Sequence, residues 1–173
     1  MYLIAEIGVN FFDIAKKYDI SLIDACKLMI VEAKNSGADC VKFQSYKAST
    51  LAAKDSPAYW DLSKEKTKNQ YELFKKMDSF NEEDFKYLSE FCSKIKIDFL
   101  STPFDLTSVD YLDKYQNKYK ISSSDITNFP LLKRCAEKNK PVLLSTGASD
   151  IKEIETAVEF LEKNGCPNVI IMH

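Results

Sequence analysis

The stretch Leu22–Gln44 reads LIDACKLMIVEAKNSGADCVKFQ and joins an amphipathic helix to a short strand. The apolar residues of its first half recur at helical spacing; they are Leu22, Ala25, Cys26, Met29, Ile30 and Ala33. The turn at Asn35, Ser36 and Gly37 ends this helix, because glycine readily takes the left-handed conformation that follows many helices. The run Cys40–Gln44 is then typical of a buried strand. The stretch therefore predicts one helix–turn–strand unit of an α/β fold.

Five further apolar runs on either side of this unit predict additional strands. They are Tyr2–Val9, Asp98–Ser101, Tyr119–Ser122, Val142–Ser145 and Val169–Met172. Helical patterns lie between them, and three of these begin at residues suited to a helix start, namely Asn81, Pro130 and Asp150. The strict alternation of strand and helix predicts right-handed βαβ units and a parallel sheet.

The longest irregular stretch runs from Ser45 to about Asn69. A loop of this length in a compact domain is either functional or a surface insertion, and the sequence leaves both readings open. Aromatic residues in and around it either line a lid or pack in the core or on the surface. These residues are Phe11, Phe12, Tyr59, Trp60, Tyr71 and Phe74.

The composition is that of a globular chain, with 45% hydrophobic and 29% charged residues among 173. A formal net charge of −2 argues against a nucleic acid or an anionic membrane as partner. Arg134 is the only arginine, so an anion site would use lysines, hydroxyls and backbone N–H groups. The four glycines form neither a dinucleotide-binding motif nor a P-loop.

The five cysteines are scattered and include no C-x-x-C pair, which predicts reduced thiols and suits a cytoplasmic location. The N-terminal residues lack the features of a signal peptide, and no apolar run approaches the roughly 18 residues of a membrane span. His173 is the only histidine and cannot complete a metal site by itself. We therefore predict no metal ligands in this chain.

Polar residues interrupt the predicted strands near their C-terminal ends, although buried parallel strands are usually apolar throughout. Glu6 lies in the first strand, and Gly8 shares its face because side chains alternate along a strand. Lys42 and Gln44 share one face of the second strand in the same way. Later strands contribute Thr102, Lys120, the run Ser122–Asp125, and Ser145. Active sites of α/β folds form at this end of the strands.

This pattern predicts that Glu6, Lys42 and Lys120 point into a barrel or crevice, while their apolar neighbours face the helices. A buried charge is costly unless it is paired or used. Glu6 alone is equally consistent with a structural ion pair. Two lysines with hydroxyl-rich turns instead suit a shared site for a phosphate and a carboxylate, and Glu6 and Asp125 could orient sugar hydroxyls or transfer protons.

Five segments together resemble the N-acetylneuraminate (sialic acid) synthase family, which includes legionaminic and pseudaminic acid synthases. They are Ile4–Asn10, Gly37–Gln44, Phe99–Asp105, Lys120–Asn128 and Lys140–Gly147. They occur in the family's order and spacing over nearly the whole chain. After Asn10, however, the family often has His-Asn-Gly, whereas this chain has Phe11, Phe12 and Asp13.

The resemblance implies a (β/α)₈ TIM barrel, of which residues 1–173 would supply the first five to six β/α units. The rest of the barrel and an antifreeze-like C-terminal domain would lie outside these residues. The implied activity is condensation of phosphoenolpyruvate with an N-acylated amino sugar, such as N-acetylmannosamine. The family also implies a homodimer and a divalent cation, Mn²⁺ or Mg²⁺, whose ligands are not in this chain.

The resemblance also implies a role for each candidate site residue. Phosphoenolpyruvate would be held by Lys42, Thr102, Lys120, Ser123 and Ser145. Gln44 would contact the amino sugar, and Glu6 would lie beside the reacting centre. Asp125 stands where the family usually has glutamate and would assist proton transfer with a side chain one methylene shorter.

Two other functions fit the same residues. A Schiff-base aldolase on a similar barrel would use Lys42 or Lys120 as its nucleophile. A non-catalytic fragment would keep the fold without turnover, and residues 1–173 alone are expected to be inactive.

Overall fold

A computed structural model describes the whole chain, residues 1–173, as alternating strands and helices. The strands are β1 (Ile4–Gly8), β2 (Cys40–Ser45), β3 (Asp98–Pro103), β4 (Tyr119–Ile121), β5 (Val142–Ser145) and β6 (Val169–Met172). The helices are α1 (Phe11–Tyr18), α2 (Leu22–Asn35), α3 (Ala48–Leu51), α4 (Gln70–Met77), α5 (Glu82–Ile95), α6 (Leu106–Leu112), α7 (Phe129–Ala136) and α8 (Ile151–Lys163). A short 3₁₀ turn, Ser123–Asp125, follows β4. All six predicted strands are confirmed.

Every hydrogen-bonded strand pair is parallel, as the alternation predicts. The ladders form two three-stranded sheets, β1-β2-β3 and β4-β5-β6. Strand β4 lies beside β3, so the two sheets continue one another in space although no ladder joins them. The outer strands β1 and β6 are the two open edges of this curved sheet.

Two apolar clusters pack on the helix side of the strands. The first joins residues of β1 and β2, among them Ile7, Val41 and Phe43, to α2 and α5. The second joins Tyr119 and Ile121 of β4 to residues of β5, α7 and α8. The predicted alternation is therefore confirmed, because these side chains face the helices. The polar side chains between them are left to the opposite face.

A third, smaller cluster lies on that opposite face of the strands. It contains Cys40, Leu100 and Leu143, with Ile4 and Met172 packed against it. These residues come from five different strands, so they form an apolar patch across the face opposite the helices. Leu100 and Leu143 lie level with Lys42 and Lys120 in the strand registers, so apolar and polar side chains adjoin on this face.

Helix starts follow the sequence closely. Asn81 and Asp150 each accept a hydrogen bond from the backbone three residues on and form complete capping boxes with Asp84 and Glu153. Pro130 lies in the first turn of α7. All five cysteines are free and buried, as predicted. No helix combines the length and apolar character needed to cross a membrane.

Three local features differ from the sequence-based prediction. Residues Phe11–Tyr18, expected as a lead into the first helix, form the separate helix α1. The supposedly irregular stretch contains α3, and α4 begins just after it. The pairing of β1 with β2 also shifts register between Glu6 and Gly8, because Gly8 takes a positive φ of 57°.

Candidate active site

Glu6, Lys42, Gln44 and Thr102 form one connected group inside the sheet. Glu6 pairs with Lys42, which lies opposite it in the β1–β2 register. Lys42 Nζ lies 3.4 Å from Thr102 Oγ1 of β3, and Gln44 Nε2 lies 3.4 Å from Glu6 Oε1. The structural ion pair that the sequence left open as an alternative for Glu6 does form, with Lys42 as its partner. It is only partly buried, since 45% of the Glu6 side chain is exposed against 13% for Lys42.

Lys120 and Ser145 form the second group, from the neighbouring strands β4 and β5. Lys120 Nζ donates hydrogen bonds to Ser145 Oγ at 2.5 Å and to the Ile121 carbonyl oxygen at 2.6 Å. Lys120 is only 6% exposed and forms no ion pair. Burial, together with the charge of Lys42, lowers the pKa of its amino group to about 8. A buried ammonium with only neutral oxygens around it is a favourable place for an anion.

Electrostatics links the two groups. Lys42 disfavours the charged form of Lys120, and Glu6 favours it. Lys42 and Lys120 lie on the same side of the sheet, because their strand neighbours Val41, Phe43, Tyr119 and Ile121 all pack against the helices. The net charge of this trio is positive, and hydroxyls of Thr102 and Ser145 lie beside it. A small dianion such as a phosphate finds both charge and donors there.

Asp125 lies in the 3₁₀ turn after β4, where its carboxylate is partly buried. Burial raises its pKa, while hydrogen bonds from Asn128 and Ser124 lower it by less. Asn128 Nδ2 donates to Asp125 Oδ1 at 3.1 Å and so fixes the side chain. A carboxyl group with a raised pKa suits proton transfer.

A cavity of about 570 Å³ opens at the same end of the strands. Gln44 and Asp125 both line it, together with Ser122, Ser124 and apolar residues. Gln44 therefore connects the cavity to the Glu6–Lys42 pair. The structure brings together seven of the eight predicted residues in this way. The eighth, Ser123, begins the 3₁₀ turn, and its side chain forms no hydrogen bond to the others.

Most residues of the cavity wall were not predicted from the sequence to belong to the site. Leu51, Leu73 and Met77 line it from α3 and α4. The sequence carried a usable signal, since Leu73, Phe74 and Met77 follow Asn69 at helical spacing and Asn69 caps α4. Of the aromatic residues considered for a lid, Tyr59 and Phe74 line the cavity, whereas Phe11 is buried in the core.

The implied divalent cation does not fit the residues of this chain. No group of three or more His, Cys, Asp or Glu side chains is arranged to hold a metal ion. The chain's one histidine, His173, is exposed at the end of β6. Glu6 is engaged by Lys42 and Asp125 by Asn128, so neither carboxylate is part of a ligand cluster.

Known proteins resemble this chain over almost its full length. A family model described as "NeuB family" matches residues 29–173. An uncharacterized protein of Methanocaldococcus jannaschii is 45% identical over 173 residues, covering 99% of this chain and 45% of the relative. N,N'-diacetyllegionaminic acid synthase of Campylobacter jejuni is 40% identical over 176 residues, covering 99% of this chain and 50% of the relative.

The fold comparison gives the same result. The crystal structure of N-acetylneuraminic acid synthetase from Leptospira borgpetersenii matches with a TM-score of 0.78 at 29% identity. The match covers 98% of this chain and 53% of that one. The α/β prediction and the incomplete TIM barrel are thereby confirmed. The chain spans about half the length of the relatives and structures it matches.

Proposed function

Because the chain belongs to the NeuB family, we propose that its residues supply the phosphoenolpyruvate-binding part of a sialic-acid-type synthase. The enzyme would condense phosphoenolpyruvate with an N-acylated amino sugar, N-acetylmannosamine or a related sugar, to give a nonulosonic acid and phosphate. The observation that carries this proposal is Lys120, a buried ammonium without a carboxylate partner at the active end of a barrel. An anionic substrate would supply the missing counter-charge.

The proposed reaction balances with water as the third reactant. The C3 carbon of phosphoenolpyruvate forms a bond to the aldehyde carbon of the open-chain sugar. Water adds to the resulting cationic C2, and the bond between C2 and the phosphate oxygen breaks. Water's oxygen becomes the new C2 carbonyl oxygen. Its two protons go to the former aldehyde oxygen and to the departing phosphate.

The charge and position of each site residue indicate its role in this reaction. Lys42 and Lys120, with the Thr102, Ser123 and Ser145 hydroxyls, would hold the phosphate and carboxylate of phosphoenolpyruvate. Fixed cations of this kind stabilise charge that develops as phosphate leaves and align the reactants.

Three further side chains would serve the sugar and the proton transfers. Gln44 reaches both Glu6 and the adjoining cavity, so it would contact the sugar. Glu6 would lie beside the reacting centre, and Asp125, held by Asn128, would transfer protons.

The remainder of the enzyme would lie outside residues 1–173. The proposal includes the missing part of the barrel, an antifreeze-like C-terminal domain, a homodimer, a Mn²⁺ or Mg²⁺ ion bound by residues outside this chain, and a cytoplasmic location. It includes neither a nucleic acid nor a membrane partner. The extent of the relatives, about twice this chain, supports the larger assembly.

The test uses protein expressed from its complete reading frame, an N-acyl hexosamine, and phosphoenolpyruvate labelled with ¹⁸O at the bridging oxygen. We expect phosphate release only when the sugar is present, with the label in the phosphate. Phosphate release without sugar, or label retained in the sugar acid, would contradict the proposed C–O cleavage.

A Schiff-base aldolase is the second candidate, and the Lys120 pKa of about 8 favours it. A lysine with a lowered pKa is partly neutral near pH 8 and can attack a carbonyl. Borohydride reduction in the presence of pyruvate separates the two, because only an aldolase gains a stable adduct on Lys120 or Lys42. A non-catalytic protein would show neither the adduct nor sugar-dependent phosphate release.

A further inference from the structure

The seam between β3 and β4 is the break in the hydrogen bonding of the curved sheet. Neighbouring strands on either side of it pair in parallel ladders, whereas β3 and β4 lie side by side without one. The seam also separates the two groups of site residues. Lys42 and Thr102 belong to β2 and β3, while Lys120 and Ser145 belong to β4 and β5. The spacing across the seam therefore sets the spacing of the two groups.

Gln116 bridges this seam from the loop that leads into β4. Its Oε1 accepts a hydrogen bond of 2.9 Å from the backbone N–H of Ser101 in β3. Ser101 is the immediate neighbour of Thr102, and Gln116 lies one short turn of chain before Lys120. The side-chain amide therefore takes the place of the backbone partner that a strand ladder would supply at this level.

The hydrogen bonds around Gln116 lie behind the site and are buried. Gln116 is 5% exposed, and Ser101 and Ser45 are fully buried with their hydroxyl oxygens 2.6 Å apart. Side chains alternate along a strand, so the two serines lie on the helix side and Gln44 and Thr102 on the opposite face. Gln116 can therefore act on the site only through the backbone, without contact to a substrate.

The loop that carries Gln116 is also held from β5. Lys140 Nζ donates to the Gln116 carbonyl oxygen at 2.9 Å and pairs with the Asp113 carboxylate at 2.7 Å. A second polar link across the seam, between Lys118 and Asp98 at 3.6 Å, lies at the N-terminal ends of the strands and is more exposed. Gln116 thus provides the buried link of the two.

The free amide group of Gln116 allows position to be separated from stability. Its Nε2 is buried and has no hydrogen-bond partner. A buried unpaired donor opposes folding. Methionine, which is similar in length, would remove this donor but leave the Ser101 N–H unpaired instead. The number of buried unpaired donors stays the same, so we expect the free energy of unfolding to change little.

We propose that Gln116 is a positioning residue, which fixes the spacing across the seam and so holds Lys42 and Lys120 at the separation that phosphoenolpyruvate needs. The inference rests on the proposed function, because it assumes that both lysines bind one substrate molecule. A substrate bound from both sides of a seam is aligned only while that spacing is fixed. Residues outside 1–173 would adjoin the open edges β1 and β6 rather than this seam.

The experiment compares Gln116→Met with Asn117→Met in protein expressed from its complete reading frame. Asn117 is the adjacent residue and is exposed, so its variant is the matched control and should behave as the unaltered protein. In Gln116→Met we expect KM for phosphoenolpyruvate to rise by roughly three- to tenfold, as for the loss of one hydrogen bond. The value of kcat should change less, because the reacting groups are intact. An unchanged KM in folded Gln116→Met would overturn the inference.

NMR titration of ¹³C-ε-lysine gives a second readout that needs no substrate. Burial and the charge of Lys42 hold the pKa of Lys120 at about 8. A wider seam would admit water and move Lys42 away, so this pKa should rise toward 10.5 in Gln116→Met. Gln116→Asn provides the same test if the methionine variant does not fold, since its shorter side chain cannot reach Ser101 across the same spacing. An unchanged pKa in the folded variant would overturn the inference.

The same titration separates this inference from the proposed reaction. If the unaltered protein releases no phosphate from phosphoenolpyruvate but the Lys120 pKa still rises in Gln116→Met, the reaction is wrong and the positioning role stands. If the reaction proceeds but neither KM nor the pKa changes, the reaction stands and the role of Gln116 is overturned.

Discussion

Lys120 of β4 donates a 2.5 Å hydrogen bond to Ser145 of β5 and forms no ion pair. Its other hydrogen bond goes to a backbone carbonyl oxygen, so both partners are neutral. Two charges act on it: Lys42 opposes its protonation, and Glu6 supports it. The site is therefore prepared for a negative charge that the chain itself does not provide.

The first prediction concerns pH. The pKa of Lys120 is lowered to about 8, and under the proposed function only its charged form would attract phosphoenolpyruvate. We expect kcat/KM for phosphoenolpyruvate to fall as the pH rises through about 8, since this ratio reports ionisation of the free enzyme. Titration of ¹³C-ε-lysine signals by NMR, with Lys120→Met to assign the resonance, gives the pKa directly. A flat profile to pH 10 would contradict the assignment.

The contribution of Lys120 to stability should have the opposite pH dependence. The folded pKa of Lys120 lies below its ordinary value of 10.5, so the unfolded chain binds more protons between about pH 8 and 10.5. The contribution of this residue to the free energy of unfolding therefore rises with pH across that window. Substrate affinity and this stability term should change in opposite directions.

The second prediction concerns Asp125. Asp125→Asn keeps the size and the contact with Asn128 but cannot transfer a proton, so kcat should fall by roughly 10²–10⁴-fold with little change in KM. Asp125→Glu restores the longer side chain usual in the family and should retain measurable turnover. Steady-state kinetics of both variants provides the check. Near-native kcat in Asp125→Asn would remove the proposed role.

The third prediction concerns Gly8. Its positive φ of 57° disfavours any side chain, at a cost of roughly 1–2 kcal/mol for alanine. An added Cβ would also lie 3.0 Å from Glu6 Oε1 and 3.3 Å from Gln44 Nε2. Gly8→Ala should therefore lower stability in a denaturant melt and weaken sugar binding together. Gly147→Ala is the control, because a Cβ there meets nothing within 4 Å.

The fourth prediction concerns the open strand edges. In a polypeptide of residues 1–173 alone, β1 and β6 leave unpaired backbone groups, and Ile170 and Ile171 are 44% and 54% exposed. Such a polypeptide should self-associate, and light scattering after size exclusion measures this. Ile171→Lys should reduce association by charging the edge. A monodisperse monomer that melts cooperatively and releases phosphate with sugar would contradict this prediction.

The sequence predicted the six strands because their apolar runs are short, clearly bounded and separated by helical patterns. It also predicted which face carries Glu6, Lys42 and Lys120, since the alternation of side chains follows from strand geometry alone. The register shift at Gly8 could not be predicted, because it depends on one backbone dihedral and on the neighbouring strand.

The cavity wall was harder to predict for a different reason. Helices α3 and α4 are short, and tertiary contacts fix them: Asp78 holds the start of α3 and Asp105 bonds Thr50. Helix propensity alone does not stabilise helices of four and eight residues, so the sequence gives little signal for them. The direction of the Lys47 side chain likewise depends on Asp78 and Phe80, which lie 31 and 33 residues further along the chain.

Lys42→Met provides the most direct test of the central claim, that the interior lysines bind phosphoenolpyruvate. Protein from the complete reading frame would be compared with this variant and with Lys163→Met, an exposed control on α8. Sugar-dependent phosphate release should fall by roughly 10²–10³-fold in Lys42→Met, about 2.7–4 kcal/mol of transition-state stabilisation by analogy with the loss of an oxyanion-hole donor. Circular dichroism should be unchanged and Lys163→Met fully active. Near-native phosphate release in Lys42→Met would contradict the account.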